Sequence, residues 1–374
     1  MKQLLTILPF LLRANAVPLA SPNSESPPDL SNLIDGVLPG LLDPGSGSGP
    51  GPGSGSCSGS GYGPGSGSDS GSDSGITPPL PGYTLTWHDE FSSSSSTPHS
   101  DTSHLPSSSN WLFDLGTSYP AGAPAWGNNE LQSYTTSPQN IRITPQNTLQ
   151  IIPRLSAGDG GNNGGQGQWT SARIETSSTS FAAAPGGKLY IEARLRTGCA
   201  PASHQHGIWP AFWALGESFR ADPTYWPMAS EWDFVEVING QPTTYNTLHC
   251  GVDSGTGGPC NEYNGLGNGG VSWSGCEWHV VGFEVDRSGS EGSGWRGETL
   301  TWFLDGEQTH VVSGADIGVE GVWETVAHRG HFLLLNVAVG GNWPGYPDGN
   351  TVDGEEVGME VDYVRVWNAD GVFY

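Results

Sequence analysis

The sequence predicts an all-β protein folded as a two-sheet sandwich, and three observations support this prediction. Apolar and polar residues alternate with a period of two in many segments, a pattern typical of half-buried β-strands. Turns rich in glycine and asparagine separate these segments, and no segment carries a comparable helical period. Many strands with polar turns indicate a sandwich or a barrel. A domain running from about Gly82 to Trp367 fits two sheets better than a small barrel.

Six segments carry the alternation most clearly. They are Tyr83–Trp87, Leu149–Ile152, Lys188–Leu195, His279–Val285, Thr299–Leu304 and Met359–Val366. Asp305-Gly306 follows the fifth segment and favours the tight turn of a β-hairpin. The chain also holds 15 tryptophans. Because tryptophan is costly to expose singly, this number predicts a well-filled core, an aromatic sugar-binding cleft, or both.

The chain before this domain has a different composition. Residues 1–20 combine Lys2, the apolar run Leu4–Leu12 and small residues toward Ala20, which is the order of a secretory signal peptide. A membrane anchor needs roughly twenty apolar residues, and Arg13 interrupts the run earlier. Residues 21–81 are rich in glycine, serine and proline and predict a disordered linker. We expect a secreted protein, extracellular or associated with a cell wall, with its folded domain over 82–374.

Cysteine usage agrees with export. Cys199, Cys250, Cys260 and Cys276 lie in the folded domain and could form two disulfides, whereas Cys57 lies alone in the linker. The spacing matches no zinc pattern. The pairing of the four cysteines stays open at this stage.

The formal net charge is -25 at pH 7. Nucleic acids and anionic membranes repel such a surface, so the charge argues against both as partners. It fits an uncharged substrate, although solubility outside the cell would account for the same charge.

Three acids lie within six residues, at Glu231, Asp233 and Glu236. On a strand, Glu231 and Asp233 would point to one face and Trp232 to the other. Glu236 would point away from the other acids unless a β-bulge near Phe234-Val235 returned it to their face. Because three acids on one sheet face repel one another, the pattern predicts chemistry rather than a structural role.

The chemistry that suits these acids is glycoside hydrolysis with retention. In a retaining enzyme, two carboxylates about 5 to 5.5 Å apart act as nucleophile and acid/base. Neighbouring negative charges keep one proton in such a cluster, so one glutamate can stay protonated. The alternatives are a solvated acidic strand and a calcium site. Calcium carboxylates normally come from loops, whereas these acids alternate with the apolar residues of a strand.

The sequence resembles glycoside hydrolase family 16, in particular fungal laminarinase-like endo-1,3(4)-β-glucanases, from about Trp87 to Trp367. Glu231, Asp233 and Glu236 match the family pattern Glu-X-Asp-X-X-Glu in full. The flanking segments that agree, in chain order, are Trp87–Phe91, Trp126–Gln132, Trp169–Ile174, Gly207–Trp213, Trp226-Pro227, Thr247–His249, Gly340–Gly345 and Val361–Val366.

The resemblance implies a concanavalin-like β-jelly roll with a curved substrate cleft. It implies that Glu231 is the nucleophile, Glu236 the acid/base and Asp233 the assisting acid. It also implies a set of substrate-binding residues in the cleft: Asn128, Arg173, Trp209, Trp213, Trp226, His249 and Trp343. Core packing is the alternative for each tryptophan, and for Trp209 core and cleft are weighed equally. Arg173 could instead form a buried ion pair with a strand acid, and His249 could be a core histidine.

Three positions depart from the family pattern. Trp232 stands where the family usually has an aliphatic residue, and Ser230 and Val237 stand where glycine is common. These changes concern the geometry of the strand rather than the acids. They bear on efficiency and specificity more than on the class of reaction.

We expect a retaining endo-β-glucanase that hydrolyses 1,3-β-glucan and, as a broader option, mixed 1,3-1,4-β-glucan. A cell-wall transglycosylase would use the same intermediate, and an inactive carbohydrate-binding protein should lack one of the glutamates. The chemistry requires no cofactor. Glu90 and Asp362 occupy positions that bind structural calcium in some relatives, with ordinary hydrogen bonding as the alternative. A β-glucan is the expected partner of a monomeric protein.

Overall fold

The computed structural model describes residues 81–92, 105–156, 168–251, 257–289 and 292–370. The predicted signal peptide, Cys57 and all but the last residue of the predicted linker lie outside the described residues. The division into signal peptide, linker and catalytic domain therefore stays a prediction. None of the helices in the described ranges has the length and apolar character needed to cross a bilayer.

The first large sheet, called the outer sheet, is antiparallel and has eight strands. They are β1 (Thr84–Asp89), β4 (Ile141–Ile143), β5 (Leu149–Ile151), β9 (Lys188–Thr197), β15 (His279–Asp286), β16 (Thr299–Leu304), β17 (Glu307–Ser313) and β19 (Met359–Ala369). Their order is β17-β16-β15-β9-β19-β5-β4, and β1 also pairs with β19. Each of the six segments predicted from alternation forms a strand of this sheet.

The second large sheet, called the inner sheet, also has eight antiparallel strands. They are β2 (Trp111–Asp114), β8 (Arg173–Thr176), β10 (Ile208–Gly216), β11 (Glu231–Glu236), β12 (Thr243–His249), β13 (Leu266–Gly267), β14 (Val271–Ser272) and β18 (His331–Val339). Their order is β13-β12-β11-β10-β18-β8-β2, and β14 pairs with β12. A small third sheet contains β3 (Ser133–Tyr134), β6 (Arg154–Leu155) and β7 (Trp169–Ser171).

Aromatic side chains fill the space between the two large sheets. Trp232 and Phe234 of β11 lie 4.8 and 4.9 Å from the ring of Phe283 on β15. Phe283 in turn contacts Trp302 of β16 edge to face at 4.9 Å. All four rings are buried in one hydrophobic core. The predicted two-sheet sandwich is thus confirmed, and Trp232 lies behind the inner sheet as expected.

The predicted hairpin at Asp305-Gly306 joins β16 to β17. Asp305 has a φ of 52° and Gly306 a φ of 85°, the left-handed conformation that tight hairpin turns need at both central positions. The sequence therefore placed this turn correctly.

Three short α-helices are present in the described residues: α1 (Ser218–Ala221), α2 (Gly314–Ile317) and α3 (Glu320–Ala327). The sequence predicted no helix, so α3 is a correction. Its glycine and β-branched residues disfavour a helix in isolation. Val322, Trp323, Val326 and Ala327 nevertheless bury one face of α3, and this packing stabilises the helix.

Two disulfides form, as predicted, and their pairing is now defined. Cys199 bonds to Cys276, and Cys250 bonds to Cys260. The second bond closes a short loop directly after β12.

Candidate active site

A β-bulge interrupts the strand that carries the three acids. In the pairing of β11 with β10, Trp213 lies opposite Asp233 and Phe212 lies opposite Val235, so Phe234 has no partner. The register between β11 and β12 shifts over the same residues. The bulge lies where the sequence predicted it.

The bulge brings all three acids to the face of the inner sheet opposite the core, which we call the site face. Glu231 Oε2 accepts a hydrogen bond from Trp226 Nε1 at 3.1 Å. Glu236 Oε1 accepts one from Trp209 Nε1, also at 3.1 Å. The carbonyl of Asp233 instead accepts a hydrogen bond of 2.8 Å from the core residue Trp302. The acid side chains and the core are therefore held on opposite sides of one strand.

Burial and crowding raise the pKa values of the acids. For Glu236, burial and the charge of Glu231 raise the pKa to about 7, against the opposing charge of His249. Burial raises the pKa of Asp233 strongly, and the charges of Glu236 and Glu231 add to the effect. Burial also raises the pKa of Glu231, which His249 opposes. Protons therefore remain within the cluster near neutral pH.

His249 lies beside these acids, with its Nε2 3.5 Å from Asp233 Oδ2. Burial lowers its pKa, but a hydrogen bond to Glu262 and the charges of Glu231, Glu262 and Glu236 outweigh burial and raise it to about 9. One carboxylate oxygen each of Glu231 and Asp233 and one ring nitrogen of His249 lie within 4.8 Å of one another. The raised pKa of His249 and the raised pKa values of the acids leave this cluster with several protons to share.

Two aromatic groups flank the acids. On the side of Glu236, Trp343 is 44% exposed and contacts Trp209 edge to face at 5.5 Å. Tyr245 contacts Trp343 at 5.1 Å. On the side of Glu231, Trp226 stacks on the exposed ring of Tyr263 at 6.0 Å. Trp209 is half-buried and touches both an acid and an exposed ring, so it belongs to the site face.

Arg173 forms the buried ion pair that was considered as its alternative role. Its Nε lies 2.7 Å from Asp114 Oδ2, and both side chains are buried. The guanidinium also lies 4.7 Å from the ring centroid of Trp126 and 4.8 Å from that of Trp213. Trp213 in turn donates to Asn336 at 2.7 Å. Arg173 is thus anchored among site-face rings, and a contact with substrate stays a prediction.

Asn128 leads into a buried network that the sequence did not predict. Its amide donates to Glu130 at 3.4 Å, and Gln132 donates to the same carboxylate at 2.7 Å. Burial raises the pKa of Glu130 to about 7. Asn336 donates to Tyr134, whose hydroxyl lies 3.5 Å from Glu130. The segment Trp126–Gln132 agrees with the family pattern, but nothing in its sequence marks Glu130 as the centre of a network.

The two acids named as candidate calcium ligands form ion pairs. Glu90 accepts two hydrogen bonds from Arg365, at 2.8 and 2.7 Å. Asp362 accepts one from Arg194 at 2.7 Å. Both carboxylates have arginine partners, which fits the alternative of ordinary hydrogen bonding.

Two of the departures from the family pattern share one partner behind the strand. The ring of Trp232 stacks on His331, with centroids 3.5 Å apart. His331 Nε2 lies 3.3 Å from the hydroxyl of Ser230. Ser230 has a φ of 72°, the left-handed region where glycine is usual. Burial lowers the pKa of His331 to about 3, so a neutral imidazole supports this end of the strand.

No family model matches the sequence, but individual proteins and solved structures do. The chain is 27% identical over 288 residues to the clotting factor G alpha subunit of Tachypleus tridentatus, covering 77% of this chain but only 34% of that protein. It is 29% identical over 294 residues to a beta-glucanase of Rhodothermus marinus, covering 77% of this chain and 86% of that protein.

Solved structures of glucanases are also similar to this chain. An endo-1,3-beta-glucanase from Streptomyces sioyaensis matches with a TM-score of 0.70 and 35% identity, over 79% of this chain and 99% of that one. A non-specific endo-beta-1,3(4)-glucanase from family GH16 shares the fold, with a TM-score of 0.53 and 24% identity over 77% and 95% of the two chains. On the strength of the first match and the intact acid motif, this chain belongs to glycoside hydrolase family 16, beside its endo-1,3-β-glucanases.

Proposed function

We propose that this protein is a secreted endo-β-glucanase that hydrolyses 1,3-β-glucan of the laminarin type by double displacement. The observation that carries the proposal is that two buried glutamates, Glu231 and Glu236, lie on one face of a bulged strand and share one imidazole. Glu236 has a pKa of about 7 and can hold a proton near neutral pH. Each glutamate accepts an indole hydrogen bond, and the charge of His249 opposes the rise of both pKa values. The assignment of Glu231 as the nucleophile follows its place in the family pattern. Such a pair supplies an acid and a nucleophile.

The proposed reaction has two steps. Glu231 attacks the anomeric carbon while Glu236 gives its proton to the glycosidic oxygen, so the bond between carbon and oxygen breaks and a glycosyl ester forms on Glu231. Glu236 then takes a proton from water, and the resulting hydroxide attacks the same carbon and releases Glu231. Asp233 stays between them and shares the protons of the cluster.

The aromatic side chains flanking the acids suit a polymeric substrate. Trp209 and Trp343 lie on one side of the acids, and Trp226 and Tyr263 lie on the other. Rings on both sides allow sugars to bind on both sides of the bond that is cut, as an endo-acting enzyme requires. Because pyranose faces are flat and uncharged, such a surface fits a neutral glucan.

Several finer points belong to the same proposal. We infer a signal peptide over 1–20, a linker over 21–81 and a catalytic domain over 82–374, and the two disulfides support export into an oxidising compartment. We also infer a monomer, and chemistry that runs on carboxylates without a cofactor. Membership of a fungal branch of the family stays a prediction, and the relatives described above give it no support.

The test is hydrolysis of laminarin, barley mixed-linkage glucan and carboxymethylcellulose by the exported protein and by Glu231→Ala. We expect wild type to release reducing ends from laminarin and to shorten the chains internally, which chromatography of the products measures. Glu231→Ala should lose activity. Added azide should restore turnover in this variant and give an α-glucosyl azide, because the anion attacks from the face that the carboxylate vacated.

A matched control is Glu320→Gln, which removes an exposed carboxylate on α3 and should leave activity unchanged. Absence of cleavage by wild type on all three glucans would contradict the proposal. Elongated products in the presence of an acceptor sugar would favour a transglycosylase. Cleavage of barley mixed-linkage glucan would show that the specificity extends to 1,3-1,4-β-glucan.

A further inference from the structure

A fourth carboxylate, Glu262, lies behind the imidazole of His249. We propose that Glu262 is a positioning residue for the reaction proposed above: it fixes the ring of His249 and keeps that ring charged beside the three acids. The inference rests on the proposed function for its catalytic meaning, but its structural basis is independent of it.

Both oxygens of Glu262 are engaged. Oε2 lies 2.7 Å from His249 Nδ1, and Oε1 accepts a hydrogen bond of 2.8 Å from the backbone N–H of Cys250. The Glu262 side chain is fully buried. A buried carboxylate with both oxygens committed can occupy only one orientation, so the imidazole bonded to it is fixed as well.

The other ring nitrogen of His249 points toward the acids. Its Nε2 lies 3.5 Å from Oδ2 of Asp233, a residue that is 3% exposed. This Oδ2 has no hydrogen-bond partner within the described ranges. A buried carboxylate oxygen without a partner is costly, and the nearby imidazolium offsets that cost electrostatically.

Several carboxylates surround His249. Glu231, Asp233 and Glu236 face the ring from β11, and Glu262 faces it from the segment after β12, while the indole of Trp226 lies 5.7 Å away. The guanidinium of Arg173 already pairs with Asp114. Four carboxylates therefore share one imidazolium, and the charge of His249 depends on the acid that is bonded to it directly.

A covalent bond restrains the segment that carries Glu262. Cys250 follows His249 directly and is joined to Cys260, which lies two residues before Glu262. Both hydrogen-bond partners of Glu262 thus belong to residues at one end of the disulfide. The distance from Glu262 to the ring is held by this bond rather than by a free loop.

The consequence for the reaction passes through His249. The charge of His249 lowers the pKa of both Glu231 and Glu236. If the imidazole became neutral, both acids would hold their protons to higher pH. Glu231 would then be a nucleophile over a narrower range of pH, and the fall in activity on the alkaline side would begin at a higher pH.

Two substitutions separate charge from position. Glu262→Gln keeps the shape and can donate to Nδ1 of a neutral ring, while Glu262→Ala removes both the charge and the support. Two measurements are made on each folded variant: the pH profile of kcat/KM on laminarin, and the pKa of His249 from the NMR signal of its Cε1–H group. The signal is assigned by its absence in His249→Gln.

For Glu262→Gln we expect the pKa of His249 to fall by more than one pH unit, and both limbs of the kcat/KM profile to move to higher pH. For Glu262→Ala we expect the same fall in pKa and a further loss of kcat on the order of 10-fold, comparable to other losses of a residue that orients a site histidine. Glu307→Gln, which removes an exposed carboxylate on β17, should change neither measurement.

An unchanged His249 pKa and an unchanged profile in folded Glu262→Gln would overturn the inference, even if the variant were less stable. The two proposals can fail separately. If wild type cleaves no glucan, the proposed function fails, while the NMR titration still decides whether Glu262 sets the charge of His249.

Discussion

The two large sheets carry acidic residues on faces that differ in how charge is compensated. On the outer sheet, Glu360 is bonded to Arg196 at 2.8 Å and Asp286 lies 2.6 Å from Lys188. On the site face of the inner sheet, Glu231, Asp233 and Glu236 share His249, which Glu262 also binds. Glu360 and Asp286 are each bonded directly to a cation, whereas the three acids of the site face share one imidazole.

The pKa values follow this difference. Asp286 is partly buried, which alone would raise its pKa, but hydrogen bonds from Lys188 and Ser288 lower it. Glu236 accepts its hydrogen bond from the neutral indole of Trp209 instead of from a cation, and burial raises its pKa to about 7. The ion pair of Asp286 favours its carboxylate form, whereas Glu236 in the cluster can hold and release a proton near neutral pH. The comparison thus separates structural acids from chemical ones by their partners rather than by their number.

The largest effect should come from comparing a glutamate-to-glutamine substitution on the site face with the same substitution on the outer sheet. Glu236→Gln removes the proposed proton donor and should lower kcat by about 10³-fold, within the range for a general acid. Glu360→Gln removes a paired acid of the outer sheet and should leave kcat within about 2-fold, since a partly exposed ion pair contributes only about 0 to 1 kcal/mol to stability. Initial rates on laminarin measure both. Equal losses in the two variants would break the comparison.

The next effect is on the pH dependence of wild type. Glu236 must carry a proton to protonate the leaving oxygen, so activity should fall as pH rises through about 7. At the acidic end, activity should fall as Glu231 takes up a proton, since a neutral carboxyl group is no nucleophile. A profile of kcat/KM against pH tests both limbs. A rate that still rises above pH 8 would contradict the assignment of Glu236 as the acid.

A smaller effect should follow from truncating an exposed ring. Trp343→Ala removes the ring that contacts Trp209 and Tyr245 and should raise KM by about 5- to 10-fold, since one aromatic contact contributes about 1 kcal/mol. The kcat should change little, because Trp343 makes no hydrogen bond to an acid among the described residues. Val311→Ala, an exposed apolar residue on β17 of the outer sheet, is the control. A change confined to kcat would show that Trp343 acts on the acids instead.

The smallest effect should come from Ser230→Gly. Glycine relieves the left-handed backbone of Ser230, worth about 1 kcal/mol, but loses the contact with His331, worth a similar amount. The midpoint of urea unfolding should therefore shift by less than the equivalent of about 1 kcal/mol, with kcat unchanged. A larger loss of stability would mean that Ser230 and His331 together determine the position of the strand.

The sequence predicted the features that depend on local pattern. Alternation identified six outer-sheet strands, Asp305-Gly306 identified a hairpin, and the spacing of Glu231, Asp233 and Glu236 required the bulge that the structure contains. Each of these features is determined by neighbouring residues, because side-chain direction along a strand and turn geometry are local properties.

Features that depend on distant contacts were not predicted. Glu262 and Glu130 lie in loops without a regular period, and only the folded chain brings them to His249 and Tyr134. The helix α3 has weak intrinsic propensity and forms because the core accepts Trp323 and its neighbours. A single sequence contains no local signal for contacts of this kind.

The hydrogen bond from Trp302 to the carbonyl of Asp233 has a consequence for heat resistance. Trp302 belongs to the outer sheet, so its hydrogen bond ties β11, the strand that carries the three acids, to the opposite sheet across the core. The acids therefore cannot keep their arrangement once the two layers begin to separate. Residual activity after heating should decline along the same curve as the circular dichroism signal of the sheets, so that melting and inactivation become a single event.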